Sequence, residues 1–169
     1  ISVTHSVPGS VCYVIDTEDG AIVYTGNFVF DQTMQGEYKT DIGKLAYVGK
    51  QGVLCLLSES IYAEHGGHTS PNNRVYDFIK EVLVKSKDRV IATIQPAHIY
   101  RLQEILNASV KTRKKVIIMG KRLQELVNRS IDLGYIDFDK NEIIINIVNG
   151  LENNISILNV NKNYLVVIK

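Results

Sequence analysis

From Ser70 onward the chain alternates between two hydrophobic periodicities. Apolar residues recur at helical spacing in three segments, which begin near Ser70-Pro71, Ala97 and Lys121. Short, almost wholly apolar runs separate and follow them, and these predict strands at 89–94, 115–119, 142–148 and 164–168. Alternating helices and apolar strands are typical of βαβ units, so the pattern predicts an α/β fold with a mainly parallel sheet flanked by helices.

The first sixty residues follow a different pattern. Val11–Asp16 and Ala21–Thr25 predict a hairpin around the turn Glu18-Asp19-Gly20, and 41–50 predicts a short helix. The continuous apolar run Val53–Leu57 predicts a strand buried on both faces. We therefore expect a first segment at 1–60 and a second domain at 61–169, joined by the glycine-containing loop 61–70.

Composition places the chain among soluble globular proteins. Its 169 residues are 45% hydrophobic and 22% charged, which excludes disorder, collagen and disulfide-rich scaffolds. Both cysteines, Cys12 and Cys55, lie in apolar runs and are expected to pack as small hydrophobes. The first residues lack signal-peptide features and no apolar run approaches the length of a membrane span, so a cytoplasmic location is expected.

Positive charge is concentrated in the middle of the chain. Residues 85–129 carry 11 Lys or Arg against 3 Asp or Glu, whereas the whole chain has a net charge of +1. This asymmetry suits a polyanionic partner such as nucleic acid, and equally fits charges spread over solvated helix faces.

Two predicted helices begin with basic residues at one edge of the predicted sheet. His98 and Arg101 follow the strand 89–94, and Lys121 and Arg122 follow the strand 115–119. Helix N-termini at the carboxyl ends of parallel strands favour phosphate, so these residues predict a phosphate site. The basic residues of 111–115 lie at the opposite edge, where helix-dipole and solubility roles are expected.

Strong stand-alone catalytic motifs are absent from the sequence. One loop histidine, His5, does not make a metal site, and the His65/His68 pair is interpreted as part of a solvated loop. Glu59 ends the apolar run 53–57, where a carboxylate either faces solvent or works with a partner. From the residues alone, we expect a nucleotide- or RNA-binding α/β module.

Seven stretches of the sequence resemble, in order and spacing, the bacterial ribonuclease J family. They read THSVP, YTGNFVFDQ, VGKQGVLCLLSES, HTSPNNRV, QPAHIYRLQ, IMGKRLQ and LGYIDF. That family belongs to the metallo-β-lactamase superfamily and carries an inserted β-CASP domain. The resemblance implies that 1–60 is an edge portion of a metallo-β-lactamase αββα domain and that 61–169 is β-CASP-like. The text around Asp31-Gln32 is similar to the family's second, weakly active paralogue.

The resemblance also implies roles for individual residues. Family members are two-metal hydrolases (Zn or Mn/Mg) that cleave RNA. His5 matches a metal-binding histidine, Asn27 stands where the family has the aspartate that bridges the metals, and Glu59 matches a catalytic acidic residue. The RNA-holding positions fall on His98, Arg101, Lys121 and Arg122.

Three departures and three hypotheses follow from the comparison with the family pattern. Asn27 lacks the bridging charge, and the family's HxHxDH and HxSGHA segments are not in the sequence, so we expect a fragment that binds no metal and cleaves nothing by itself. The first hypothesis is a segment of a ribonuclease that contributes RNA backbone binding. The second is a non-catalytic RNA-binding or scaffolding subunit, as a homo-oligomer or with an active paralogue. The third is an unrelated nucleotide-binding module.

Overall fold

The protein is described here from a computed structural model that covers residues 1–61, 63–67, 73–138, 143–144 and 164–168. The chain forms two compact units, Ile1–Asn73 and Arg74–Lys169. The helix start predicted at Ser70-Pro71 and most of the strand predicted at 142–148 lie outside the described residues. The α/β class is confirmed by the helices and strands of both units.

The first unit is built on the predicted hairpin. Strands β1 (Tyr13–Thr17) and β2 (Gly20–Gly26) pair antiparallel, with Thr17 opposite Gly20 across a two-residue turn. Gly20 has a φ of 131°, which a residue with a side chain rarely adopts, and this explains a glycine at the turn. The hairpin prediction is confirmed.

Helix α1 (Ile42–Gln51) connects β2 to the parallel strand β3 (Val53–Ser58). Its N-cap is Asp41, whose Oδ1 accepts a hydrogen bond of 3.0 Å from the backbone N–H of Lys44. This bond stabilises the ionised carboxylate and lowers the pKa of Asp41. The helix predicted at 41–50 is confirmed.

The predicted burial of the apolar run 53–57 is wrong. Within β3, Leu54, Leu56 and Leu57 are each more than half exposed. The reason is that β3 is an edge strand that pairs only with β2, and no element among the described residues covers its faces. Cys55 is accordingly only half-buried, whereas Cys12 is buried as predicted, and both thiols are free.

The second unit contains a four-stranded sheet in the order β4-β7-β5-β6. Its strands are β4 (Val90–Thr93), β5 (Lys115–Ile118), β6 (Ile143–Ile144) and β7 (Tyr164–Ile168). The pairings β4–β7, β5–β7 and β5–β6 are all parallel. The strand β7, last in the chain, therefore lies between β4 and β5.

Helices α3 (Ile99–Thr112) and α4 (Lys121–Asp132) supply most of the helical side of the core. The helical periodicity predicted from near Ala97 is confirmed, because one face of α3 is buried at Ile99, Leu102, Ile105, Leu106 and Ser109. From the other helix, Leu123 and Val127 have no exposed surface. Gly134 follows α4 with a φ of 75°, a conformation that suits glycine just after the end of a helix.

Helix α2 (Asn73–Lys85) borders an apolar cleft. The cleft has a volume of about 300 Å³, and Val75, Phe78 and Ile79 line it together with β4 and Arg101. Phe78 is 65% exposed, so the apolar face predicted for this helix is only partly covered.

The basic segment between α3 and β5 contains one buried cation. The Nζ of Lys114 donates to the backbone carbonyls of Ser86 and Asp88, at 3.3 Å each, and the residue is only 8% exposed. The solubility role expected for Lys114 is therefore wrong. Its neighbour Arg113 is the C-cap of α3 and adopts a left-handed conformation with φ 55°.

Candidate functional site

The carboxyl ends of β2 and β3 bring two predicted site residues to one edge of the first sheet. Asn27 directly follows β2 and is exposed, while Glu59 directly follows β3 and is half-buried. The backbone N–H of Phe28 donates to Glu59 Oε1 at 2.7 Å, which ties the two strand ends together. Because β2 and β3 are parallel, both residues emerge in the same direction.

The backbone of Thr4, the residue before His5, is bonded to the segment that follows β2. Thr4 pairs with Val29 in an isolated antiparallel bridge, and its carbonyl accepts the N–H of Val29 at 2.9 Å. A hydrogen bond of 2.8 Å from the Thr4 N–H to Thr40 Oγ1 fixes this segment from a second side. The half-buried His5 therefore directly follows a residue, Thr4, that is bonded both to the segment after β2 and to Thr40.

These residues do not make a complete metal centre. Zinc takes three or four protein ligands, and a second divalent ion needs a shared anionic ligand. Among the described residues, no group of three or more His, Cys, Asp or Glu is placed to hold a metal ion. Asn27 offers a neutral amide, and one oxygen of Glu59 already accepts the Phe28 N–H.

The second unit gathers the basic candidates at the carboxyl edge of its sheet. His98 is the N-cap residue of α3, and Arg101 lies in the first turn of that helix. Lys121 and Arg122 are the first two residues of α4. Because β7 lies between β4 and β5, the two strands that precede these helices are about 10 Å apart rather than adjacent. The predicted site is thus one edge with two separated helix starts.

The start of α4 is open to solvent. Both Lys121 and Arg122 are exposed, and the first turn of this helix contains no acidic residue. The Nε2 of Gln124 donates to the carbonyl of Ile118 at 2.9 Å, which anchors the helix start to the end of β5. Backbone N–H groups without a partner inside the helix, the helix dipole and two cations therefore coincide at a fixed position that can accept an anion.

The start of α3 is different because Arg101 already has an anionic partner. Its Nη1 contacts Oε2 of Glu104 one turn further along, and the two side chains are only 16% and 8% exposed. Burial raises the pKa of Glu104, and the charge of Arg101 opposes that rise. Sequence reasoning missed Glu104; its signal was a carboxylate directly before the buried pair Ile105-Leu106.

Comparison with known proteins bears on both units. Residues 87–161 match the family model for the β-CASP domain of ribonuclease J. Ribonuclease J 2 of Staphylococcus aureus (strain NCTC 8325 / PS 47) is 37% identical over 141 residues, which cover 83% of this chain and 25% of that protein. Ribonuclease J 2 of Staphylococcus saprophyticus is 36% identical over 150 residues, which cover 89% of this chain and 27% of that protein.

Residues 87–161 belong to the ribonuclease J β-CASP family. The predicted resemblance to ribonuclease J is thereby confirmed, and the similarity to the two relatives extends it over most of the chain. Both relatives are named Ribonuclease J 2, in agreement with the predicted likeness to the second paralogue. The chain spans about a quarter of the length of these relatives.

The ribonuclease J β-CASP match divides the predicted site residues into two groups. His98, Arg101, Lys121 and Arg122 lie inside the matched segment, whereas His5, Asn27 and Glu59 precede it. In the part of the chain that the structure describes, no helix is long and apolar enough to cross a membrane. The roles assigned to all seven residues stay predictions.

Proposed function

We propose that this chain acts in RNA processing or decay as a ribonuclease J-type protein, and that its second domain, 61–169, binds the RNA backbone. The observation that supports this most directly is the start of α4, where the exposed Lys121 and Arg122 lie among backbone N–H groups that have no partner within the helix. His98 and Arg101 mark the second helix start at the same edge, where Arg101 is already paired with Glu104. Phosphate contacts such as those proposed for Lys121 and Arg122 position the RNA backbone without reading its sequence.

In this proposal the first segment, 1–60, is an edge portion of a metallo-β-lactamase domain. Two divalent ions, Zn or Mn/Mg, would activate the attacking water in a complete centre of this kind. His5 would be a ligand and Glu59 a catalytic carboxylate in such a centre. The neutral Asn27 offers no charge to hold two cations together, so we expect no RNA cleavage from this chain alone. We expect the protein to act in the cytoplasm.

A second candidate function is that of a non-catalytic subunit that binds RNA as a homo-oligomer or together with an active ribonuclease J paralogue. The amide at Asn27 favours it, because an enzyme that depends on two metals would retain the bridging carboxylate. A nucleotide-binding module is the third candidate; it predicts saturable mononucleotide binding that does not strengthen with chain length.

Titration with a labelled single-stranded RNA at several salt concentrations tests the proposal. The wild-type chain should bind, and its affinity should fall as salt rises. K121A/R122A should bind more weakly, with a salt slope about 1.4 less negative, because two phosphate contacts at about 0.7 each are lost. The matched control is K87A/K115A, which removes two exposed lysines at the amino edge of the sheet.

The comparison of RNA affinity between the two double variants decides whether the proposed site is correct. A smaller effect in K87A/K115A than in K121A/R122A supports binding at the carboxyl edge. Equal effects in both variants would mean that net charge alone attracts RNA, and the proposed site would be wrong. A folded wild-type chain that binds no RNA would contradict the proposed RNA-binding function.

A further inference from the structure

The starts of α3 and α4 differ in electrostatics although they share one edge of the sheet. At α4, two exposed cations stand beside a helix terminus with no carboxylate in its first turn. At α3, the cation Arg101 is paired with Glu104 and only 16% of its side-chain surface is exposed. Neither helix has an acidic residue in its first turn, so the difference lies in the pairing of Arg101 with Glu104.

The pairing has a cost for binding a second anion. A phosphate that contacts Arg101 must either displace Glu104 or approach a carboxylate that it repels. Both side chains are largely buried, so solvent screens this repulsion less than it would at the surface. Arg101 and Glu104 together present a net charge of zero, whereas Lys121 and Arg122 present two positive charges.

We propose that Glu104 controls the access of RNA to Arg101. Its carboxylate pairs with the guanidinium in the place that a phosphate would take, and RNA backbone contacts are thereby confined to the start of α4. This inference rests on the proposed RNA binding at the carboxyl edge of the sheet. Glu104 is thus a positioning residue that acts through Arg101, and removing its charge converts the start of α3 into a second phosphate site. The chain then offers RNA two helix starts at one edge of the sheet instead of one.

The variant Glu104→Gln tests the inference in the full chain. Glutamine keeps an oxygen that can accept a hydrogen bond from Arg101 and removes only the charge. With a labelled single-stranded RNA, E104Q should bind more tightly than wild type at low salt. Its log affinity should fall more steeply with log salt, by about 0.7, which corresponds to one further phosphate contact. The gain should disappear in E104Q/R101Q.

Glu81→Gln is the matched control. Glu81 also pairs with a cation on its own helix, Lys85, but this pair is exposed and lies near the C-terminus of α2. E81Q changes the net charge by the same amount away from the proposed site. A steeper salt slope in E81Q equal to that in E104Q would attribute the effect to net charge and overturn the inference.

A second measurement does not depend on how well E104Q folds. Side-chain nitrogen resonances of arginine are followed in the wild-type chain as RNA is added. The Arg122 signal should shift, whereas the Arg101 signal should stay in place because Glu104 retains it. An Arg101 shift as large as that of Arg122 would overturn the inference.

The results separate this inference from the proposed function. If wild type and E104Q bind RNA identically, the function stands and the role of Glu104 is refuted. If wild type fails to bind while E104Q binds, occupation of Arg101 by Glu104 is supported and binding by α4 alone is refuted. If neither folded protein binds, both proposals are wrong.

Discussion

The backbone N–H of Phe28 donates to Glu59 Oε1 across 2.7 Å, although the two residues are 31 positions apart in the chain. The bond joins the end of β3 to the segment that follows β2, in a partly buried position. It therefore gives Glu59 a structural role in addition to the catalytic role proposed for it.

Glu59→Ala should destabilise the first unit by about 1 kcal/mol, because the Phe28 N–H loses its acceptor in a partly buried place. Glu59→Gln should destabilise it less, since the amide oxygen can still accept. Denaturant unfolding of the chain measures both effects, with Glu64→Ala, an exposed carboxylate of the same unit, as the control. Equal stabilities of E59A and E64A would contradict the structural role.

Lys114→Met should destabilise the second unit by about 1–3 kcal/mol. The substitution keeps much of the aliphatic stem but removes the Nζ that serves the carbonyls of Ser86 and Asp88. The control is Lys115→Met, because Lys115 is the adjacent residue and is exposed. Thermal unfolding should show a lower midpoint for K114M only; a matching loss in K115M would assign the effect to charge rather than to the buried bonds.

The stability contribution of Glu104 should depend on pH. Burial raises the pKa of Glu104 above its ordinary value of 4.5, so between the unfolded and folded pKa values the folded chain binds more protons than the unfolded chain. The stability that Glu104 contributes is therefore present at pH values below its pKa in the unfolded chain, and it is lost as the pH rises through its pKa in the folded chain. The variant E104Q has no carboxyl group at this position and lacks this contribution.

Urea unfolding of wild type and E104Q at about pH 4 and about pH 7 measures this dependence. The unfolding free energy of wild type minus that of E104Q should be smaller at the higher pH. The corresponding difference for E81Q, which alters an exposed carboxylate, should change less. A difference for E104Q that grows with pH would show that pairing with Arg101 outweighs burial.

Asn27→Asp should increase RNA cleavage by the full-length protein if that protein is a metal-dependent hydrolase. The change places a charge in the region of Glu59 and His5, where a bridging carboxylate would reduce the repulsion between two cations. Cleavage of a labelled RNA in the presence of Mn²⁺ is the measurement. Asn107→Asp, an equal charge change on the exposed side of α3, is the control. Failure of N27D to increase cleavage would favour the non-catalytic subunit.

Local patterns predicted much of the secondary structure. The turn at residues 18–20, the helix at 41–50 and the helix that begins near Ala97 each depend on neighbours in the sequence, and all three were confirmed. One failure concerns contacts between distant segments. The bonds from Lys114 to Ser86 and Asp88 join residues 28 and 26 positions apart. The periodicity within a helix or strand carries no information about contacts at such separations.

The exposed β3 and the paired Arg101 illustrate a second limit. An apolar run indicates that a strand can be buried, but its burial depends on which element covers it. Likewise, Arg101 has the position expected of a phosphate ligand, while its availability depends on the side chain of Glu104. Residue type and spacing predicted where these residues lie in the fold but not what surrounds them.

The position of β7 means that the sheet of the second unit is completed late in synthesis. Its strands β4 and β5 are made first on the ribosome, yet they have no direct pairing with each other, since β7 fills the space between them. Until residues 164–168 emerge, both strands keep an unpaired edge, and such edges are sites of aggregation. More than forty residues must therefore be translated after β5 before β7 can complete the sheet. During this time the unpaired strand edges of the nascent chain need to be short-lived or protected from aggregation.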